Sequence, residues 1–61
     1  MKFKIGDIIR DKEGLKLRGK IMSHFVHEGD NYYVVNYDFN EWIPAFYVVW
    51  EDNLEQDFIA E

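Results

Sequence analysis

Sixty-one residues allow one domain, and a chain this short buries only about 60% of the surface it exposes when unfolded, so packing alone leaves it marginal. With no cysteine there is no disulfide framework or thiolate metal site, and His24 and His27 are too few to hold a structural metal by themselves. The net charge of −5 is unevenly spread: all seven basic residues, Lys2, Lys4, Arg10, Lys12, Lys16, Arg18 and Lys20, precede position 21, which leaves the first twenty residues at +4 and the remainder at −9.

Neighbouring strands from the two parts either interleave these charges into a neutralised surface or leave an acidic face that attracts basic tails and repels phosphate. No apolar stretch approaches the roughly 20 residues of a membrane span, and the start MKFKIGD lacks the apolar core of a secretory signal. An intracellular protein is expected, with no membrane contact.

In chain order the patterns are those of short strands. Phe3 to Arg10 is an apolar set around Gly6-Asp7, and Asp11 to Gly14 is a turn whose glycine can take positive φ. A second, long and bent strand fits Leu17 to His27, with Ile21, Ser23 and Phe25 on one face and Met22, His24 and Val26 on the other. Glu28 to Asn31 has hairpin-turn composition, with Gly29-Asp30 as the tight bend. Tyr32 to Asp38 follows as an aromatic and β-branched strand, with Tyr33, Val35 and Tyr37 opposed to Tyr32, Val34 and Asn36.

Asn40-Glu41 is a further turn, and Trp42-Ile43 starts a short strand that Pro44 ends because it lacks an N–H. Ala45 to Tyr47 suits one 3₁₀ turn and Val48 to Trp50 a last strand. The tail changes period: Asp52 with Glu55 resembles a capping box, Leu54 and Phe58 recur at i and i+4, and a short helix over 52–60 is expected to dock through Leu54, Phe58 and Ile59. The sum is a mainly β protein, a single SH3-like five-stranded antiparallel barrel over about 3–50 with a short C-terminal helix.

Eight of the eleven aromatic residues fall between Tyr32 and Trp50, more than one face of a small barrel buries, so part of the cluster is expected to serve recognition. For any one ring a place in the core is the commoner alternative. No nucleophile–base constellation or phosphate loop is present, and acids such as Glu51-Asp52 sit where a helix start favours negative charge. No enzymatic activity, cofactor or metal is expected. His24 and His27, three apart on a strand, fall on opposite faces and make a poor chelating pair.

The opening FKIGDIIR followed by GKI resembles the start of many SH3-like domains, among them Tudor, KOW-type and chromo-barrel modules and the type II dihydrofolate reductases. The active-site strand of those reductases has no counterpart here. From Phe3 to Gln56 the chain is similar to chromo-barrel domains, above all in YYVVNYDFNEWIPAFYVVWEDNLEQ. The resemblance implies an aromatic cage to which Tyr37, Phe39 and Trp42 contribute, with Asp38 and Glu41 as acids at its rim. The chain departs from the pattern in a shorter turn, in Asn36 where His is usual, and in Leu17 near the place where some members carry a cage Tyr. The run WIPAFYV also resembles the WIPSNYV segment of SH3 domains, with Pro44 and Tyr47 matching groove residues for proline-rich peptides, but the rest of that groove signature is missing.

The resulting expectation is a binding module for a basic or methylated peptide, in which aromatic faces hold an ammonium group for about 0.5–2 kcal/mol each. Nucleic acid is disfavoured as a partner, since it requires the basic residues to gather on one side. A homo-oligomer through Trp50, Phe58 and Ile59 is a further expectation. The alternative is a complete small acidic gene product of a phage or mobile element, which binds and inhibits or adapts a basic, nucleic-acid-handling protein.

Overall fold

The computed structural model describes residues 2–14, 17–37 and 45–61. Strands β1 (Ile8–Asp11), β2 (Arg18–His27), β3 (Asp30–Tyr37) and β4 (Phe46–Trp50) follow one another as an antiparallel meander. The helix α1 (Glu51–Asp57) then carries the chain back across the sheet, so that β5 (Phe58–Ala60) pairs antiparallel with β1. The strand order is β4-β3-β2-β1-β5. Among the described residues no ladder joins β4 to β5, and the sheet is not closed into the expected barrel.

One face of this sheet forms the core. Ile9, Ile21, Tyr33, Val35 and Leu54 are almost completely shielded from water, Phe3 nearly so, and Tyr37, Val49 and Phe58 pack against them half-buried. Period-two alternation explains the choice in β3, where Tyr33, Val35 and Tyr37 point inward as the pattern predicts. The same logic fails in β2. Ile21 pairs with Val35 but Ser23 pairs with Val34, so a bulge at Met22 adds one residue and reverses the faces beyond it. Ile21 is therefore inward while Ser23 and Phe25 are outward, contrary to the single face expected for all three.

Several boundaries differ from expectation for local reasons. A turn interrupts the stretch from Phe3: Asp7 accepts the Lys4 backbone N–H at 2.8 Å through Oδ2, its own N–H donates to Lys4 at 3.0 Å, and Gly6 takes φ 94°, so β1 begins only at Ile8. The hairpin bend is Glu28-Gly29, with φ 52° and 83° between the paired His27 and Asp30, one residue earlier than expected. Two successive positive φ values match the twist of the flanking strands, and glycine accepts one of them without steric cost. Phe46 and Tyr47 belong to β4, not to a 3₁₀ turn. The expected Trp42-Ile43 strand lies outside the described residues.

The tail splits in two. α1 starts one residue before Asp52, its cap Trp50 makes no side-chain capping bond, and the chain returns to extended backbone at Phe58. Seven residues of helix are marginal in isolation. Leu54, 1% exposed, anchors α1 on the sheet, and the ladder of Phe58, Ile59 and Ala60 with Asp11, Arg10 and Ile9 claims residues that a longer helix would have used.

Candidate functional site

Of the five residues singled out by the sequence as a recognition site, Tyr37 is described; Asp38, Phe39, Glu41 and Trp42 lie outside the described residues. Tyr37 ends β3 on the core face, half-buried, and two other rings approach it. Tyr47 lies with its centroid at 5.3 Å and an interplanar angle of 56°, and Phe58 at 5.9 Å and 40°. Sheet register explains both contacts. Tyr47 pairs with Val35, two residues before Tyr37 on the same face, while β5 brings Phe58 opposite Asp11 on the far side of the sheet.

These rings, with Leu17 and Ala45, line an open recess of about 390 Å³. It adjoins a second recess of about 480 Å³ at Leu17 and Phe58, whose described lining includes Asp11, Glu13, Asp57 and Lys12. The two recesses share Leu17 and Phe58, the first a groove walled mainly by rings and the second bordered by charged side chains. Burial, then the charge of Asp57, then Tyr47 hold the Tyr37 phenol above its ordinary pKa, so it stays neutral and acts as a ring wall with a polar tip.

Gly19 makes this packing possible. A Cβ at that position would sit 2.8 Å from Val35 Cγ1 and 3.2 Å from Tyr37 Cδ1. The bare backbone of β2 lets the Tyr37 ring lie down against the sheet.

Sequence reasoning missed Phe58 and Asp57 as groove residues, and named Tyr47 only through the resemblance to an SH3 groove for proline-rich peptides. A strand over 46–50 in place of a 3₁₀ turn would have put Tyr47 on the face of Tyr37. Phe58 was assigned to a helix, and only the β1–β5 pairing carries it to the groove. Trp50, Phe58 and Ile59, expected to share an oligomer surface, instead divide between the two edge strands, and Phe58 faces the groove.

A second polar cluster fastens the opposite end of the core. The Tyr33 hydroxyl donates to Glu51 Oε2 and accepts the Phe3 N–H at 3.2 Å; Asn31 Nδ2 donates to Glu51 Oε1 at 3.4 Å, and the Lys2 N–H to Oε2 at 3.4 Å. The Tyr33 hydrogen bond, reinforced by those from Lys2 and Asn31, holds the Glu51 carboxyl below its ordinary pKa. His24 meets Asn31 Oδ1 at 3.3 Å and leans on the Tyr33 ring, whereas His27 contacts Tyr32, so the two histidines lie on opposite faces. Among the described residues no group of three or more His, Asp and Glu could hold a metal ion.

The charge halves meet in space. Lys2 pairs with Glu55 at 3.1 Å and Arg18 with Glu61 at 2.7 Å, which joins the basic start to the acidic end. Arg10, Arg18 and Lys20 alternate with inward-facing residues of β1 and β2 and so share the outward face. Among the described residues no helix is long and apolar enough to cross a membrane. Comparison with protein families, with curated proteins and with solved structures finds no match to this chain.

Proposed function

We propose that this chain is a non-enzymatic binding domain that takes a cationic side chain of a basic or methylated peptide into the groove of Tyr37, Tyr47, Phe58 and Leu17. The single observation that carries this reading is that the recess walled by Tyr37, Tyr47 and Phe58 shares Leu17 and Phe58 with a neighbouring recess bordered by Asp57 and Glu13. Ring faces attract an ammonium through their quadrupole, and quaternary ammonium fits best because it sheds little hydration on entering. The acids add long-range attraction but little net energy where they remain in water.

The likeness to chromo-barrel and Tudor-type domains supports the same ligand class, and in that reading Phe39 and Trp42 supply further walls, with Asp38 and Glu41 at the rim. The site is expected to be weak, since each ring contributes on the order of 1 kcal/mol.

Titration of the ¹⁵N-labelled protein with a basic peptide carrying trimethyl-lysine, followed by NMR, tests the proposal. Resonances of Tyr37, Tyr47 and Phe58 are expected to shift with the trimethylated peptide, less with the unmodified one and not with an acetyl-lysine peptide. Tyr47→Ala, at a ring 54% exposed, is expected to abolish the shifts while the fold persists. Equal response to acetylated and methylated peptides, or none at millimolar peptide, would overturn the reading.

A further inference from the structure

Among the described residues strand β4 is the least protected element. Its residues, Phe46-Tyr47-Val48-Val49-Trp50, include no charge and no proline, and among the described residues its backbone pairs only with β3. Soluble proteins guard such an edge with lysine, proline, a bulge or a covering segment, because its outward N–H and C=O groups otherwise template another strand. Phe46, Tyr47 and Val48 are 56%, 54% and 62% exposed and Trp50 40%, so the side chains add apolar surface to the open ladder. The other edge is different: β5 is three residues long and is followed by Glu61, which is held by Arg18.

The order of residues selects the occupant. Read about Val48, the strand is nearly self-complementary: an aromatic residue lies two positions away on either side, both on the outward face. In an antiparallel pair centred on Val48, Phe46 of one protomer falls opposite Trp50 of its partner, Val48 opposite Val48, and Tyr47 opposite Val49. Cross-strand aromatic and β-branched pairs of this kind are the stabilising unit of an antiparallel sheet, and a two-fold axis makes each of them twice.

We propose that two copies of this chain associate through β4 about a two-fold axis at Val48, joining their sheets into one. The apolar area is a substantial part of what a dimer needs. Four half-exposed side chains, three of them aromatic, present on the order of 300–400 Å² per copy, given about 150–250 Å² for a whole aromatic side chain. A standard interface removes roughly 800 Å² per partner, a little over half of it apolar, so β4 supplies most of the apolar share and the new ladder the hydrogen bonds. Association also adds burial to a chain too short to bury much alone. The inference does not rest on ligand binding in the groove: Tyr47 is shared between this edge and the groove, whereas Tyr37, Leu17 and Phe58 are not part of β4.

Sedimentation equilibrium of the full chain from about 10 μM to about 1 mM tests it. The expected result is a reversible shift from 7.4 kDa toward twice that mass. Val48→Lys sets two ammonium groups face to face on the axis and is expected to weaken the dimer about tenfold or more, while Val26→Lys, on β2 and 60% exposed, leaves it intact. Circular dichroism establishes that both variants fold. Should Val48→Lys fail to fold, oxidised Val48→Cys, in a chain with no other cysteine, is expected to give a covalent dimer. A monomer throughout the range, a dimer indifferent to Val48→Lys, equal loss in both variants, or no cross-link at dimeric concentrations would each overturn the proposal.

Discussion

The hydroxyl of Tyr33 donates to the carboxylate of Glu51 while it accepts the backbone N–H of Phe3, so one phenol ties the third strand, the first turn of the helix and the N-terminal segment together. The ring itself is wholly buried, edge-on to Phe3 at 5.5 Å. Its polar tip thus fixes elements that apolar packing alone would leave free to slide.

Tyr33→Phe keeps the ring and removes the tip. A hydrogen bond to a charged group is worth about 1.5–3 kcal/mol, less where the acceptor is partly solvated, so a loss of about 1–2 kcal/mol at neutral pH is expected in urea unfolding. A variant as stable as the parent would show that the Glu51 contact contributes nothing.

The same pair sets a response to acid. Glu51 has its folded pKa depressed, so its stabilisation is fully present above the unfolded carboxyl pKa and is lost as pH falls through the folded value. Melting curves across the acid range are expected to show the parent converging on Tyr33→Phe as Glu51 takes up a proton. A stability gap that is constant with pH would contradict this.

At the alkaline end the sign reverses. Tyr33 and Tyr37 both have folded pKa values raised, chiefly by burial, so the stability they confer is intact below the unfolded phenol pKa and declines as pH rises from there through the folded values. Unfolding is expected to accelerate above about pH 10. Absorbance at the phenolate band should show these two tyrosines ionising together with loss of structure, not before it.

Leu54→Ala removes the anchor of α1. A buried Leu→Ala change costs about 2–5 kcal/mol, and the element affected is a helix too short to persist alone. Amide exchange is expected to rise first in α1 and β5, because the helix delivers β5 to its partner strand. Uniform acceleration across the sheet would mean that these elements do not open separately.

Gly19→Ala tests the close approach beneath the groove. The added Cβ meets Val35 and Tyr37 inside van der Waals distance and is expected to cost about 1–3 kcal/mol by overpacking, with the Tyr37 resonances shifted. Gly14→Ala, where a Cβ meets open space but φ is 75°, separates backbone strain from crowding.

Local periodicity was enough for β3, where side chains alternate along one uninterrupted strand and Tyr33, Val35 and Tyr37 share a face. It was enough too for the turns at Gly14 and Gly29 and for a helical tail anchored by Leu54, since each is decided within a few residues. It misled wherever a neighbour outvoted the pattern. Nothing in Ile21-Met22-Ser23 marks a bulge; the pairing with Val34 and Val35 imposes it.

The amino-acid order by itself settled that this is a mainly β chain with aromatic residues to spare, because alternation, turn chemistry and composition are properties of short segments. Tertiary structure alone decided that Tyr37 meets Tyr47 and Phe58, residues ten and twenty-one positions away. That meeting follows from β5 pairing with β1 and from Tyr47 sharing the Tyr37 face. Which strand lies beside which is a choice the whole chain makes, by burying Ile9, Ile21, Val35 and Leu54 together.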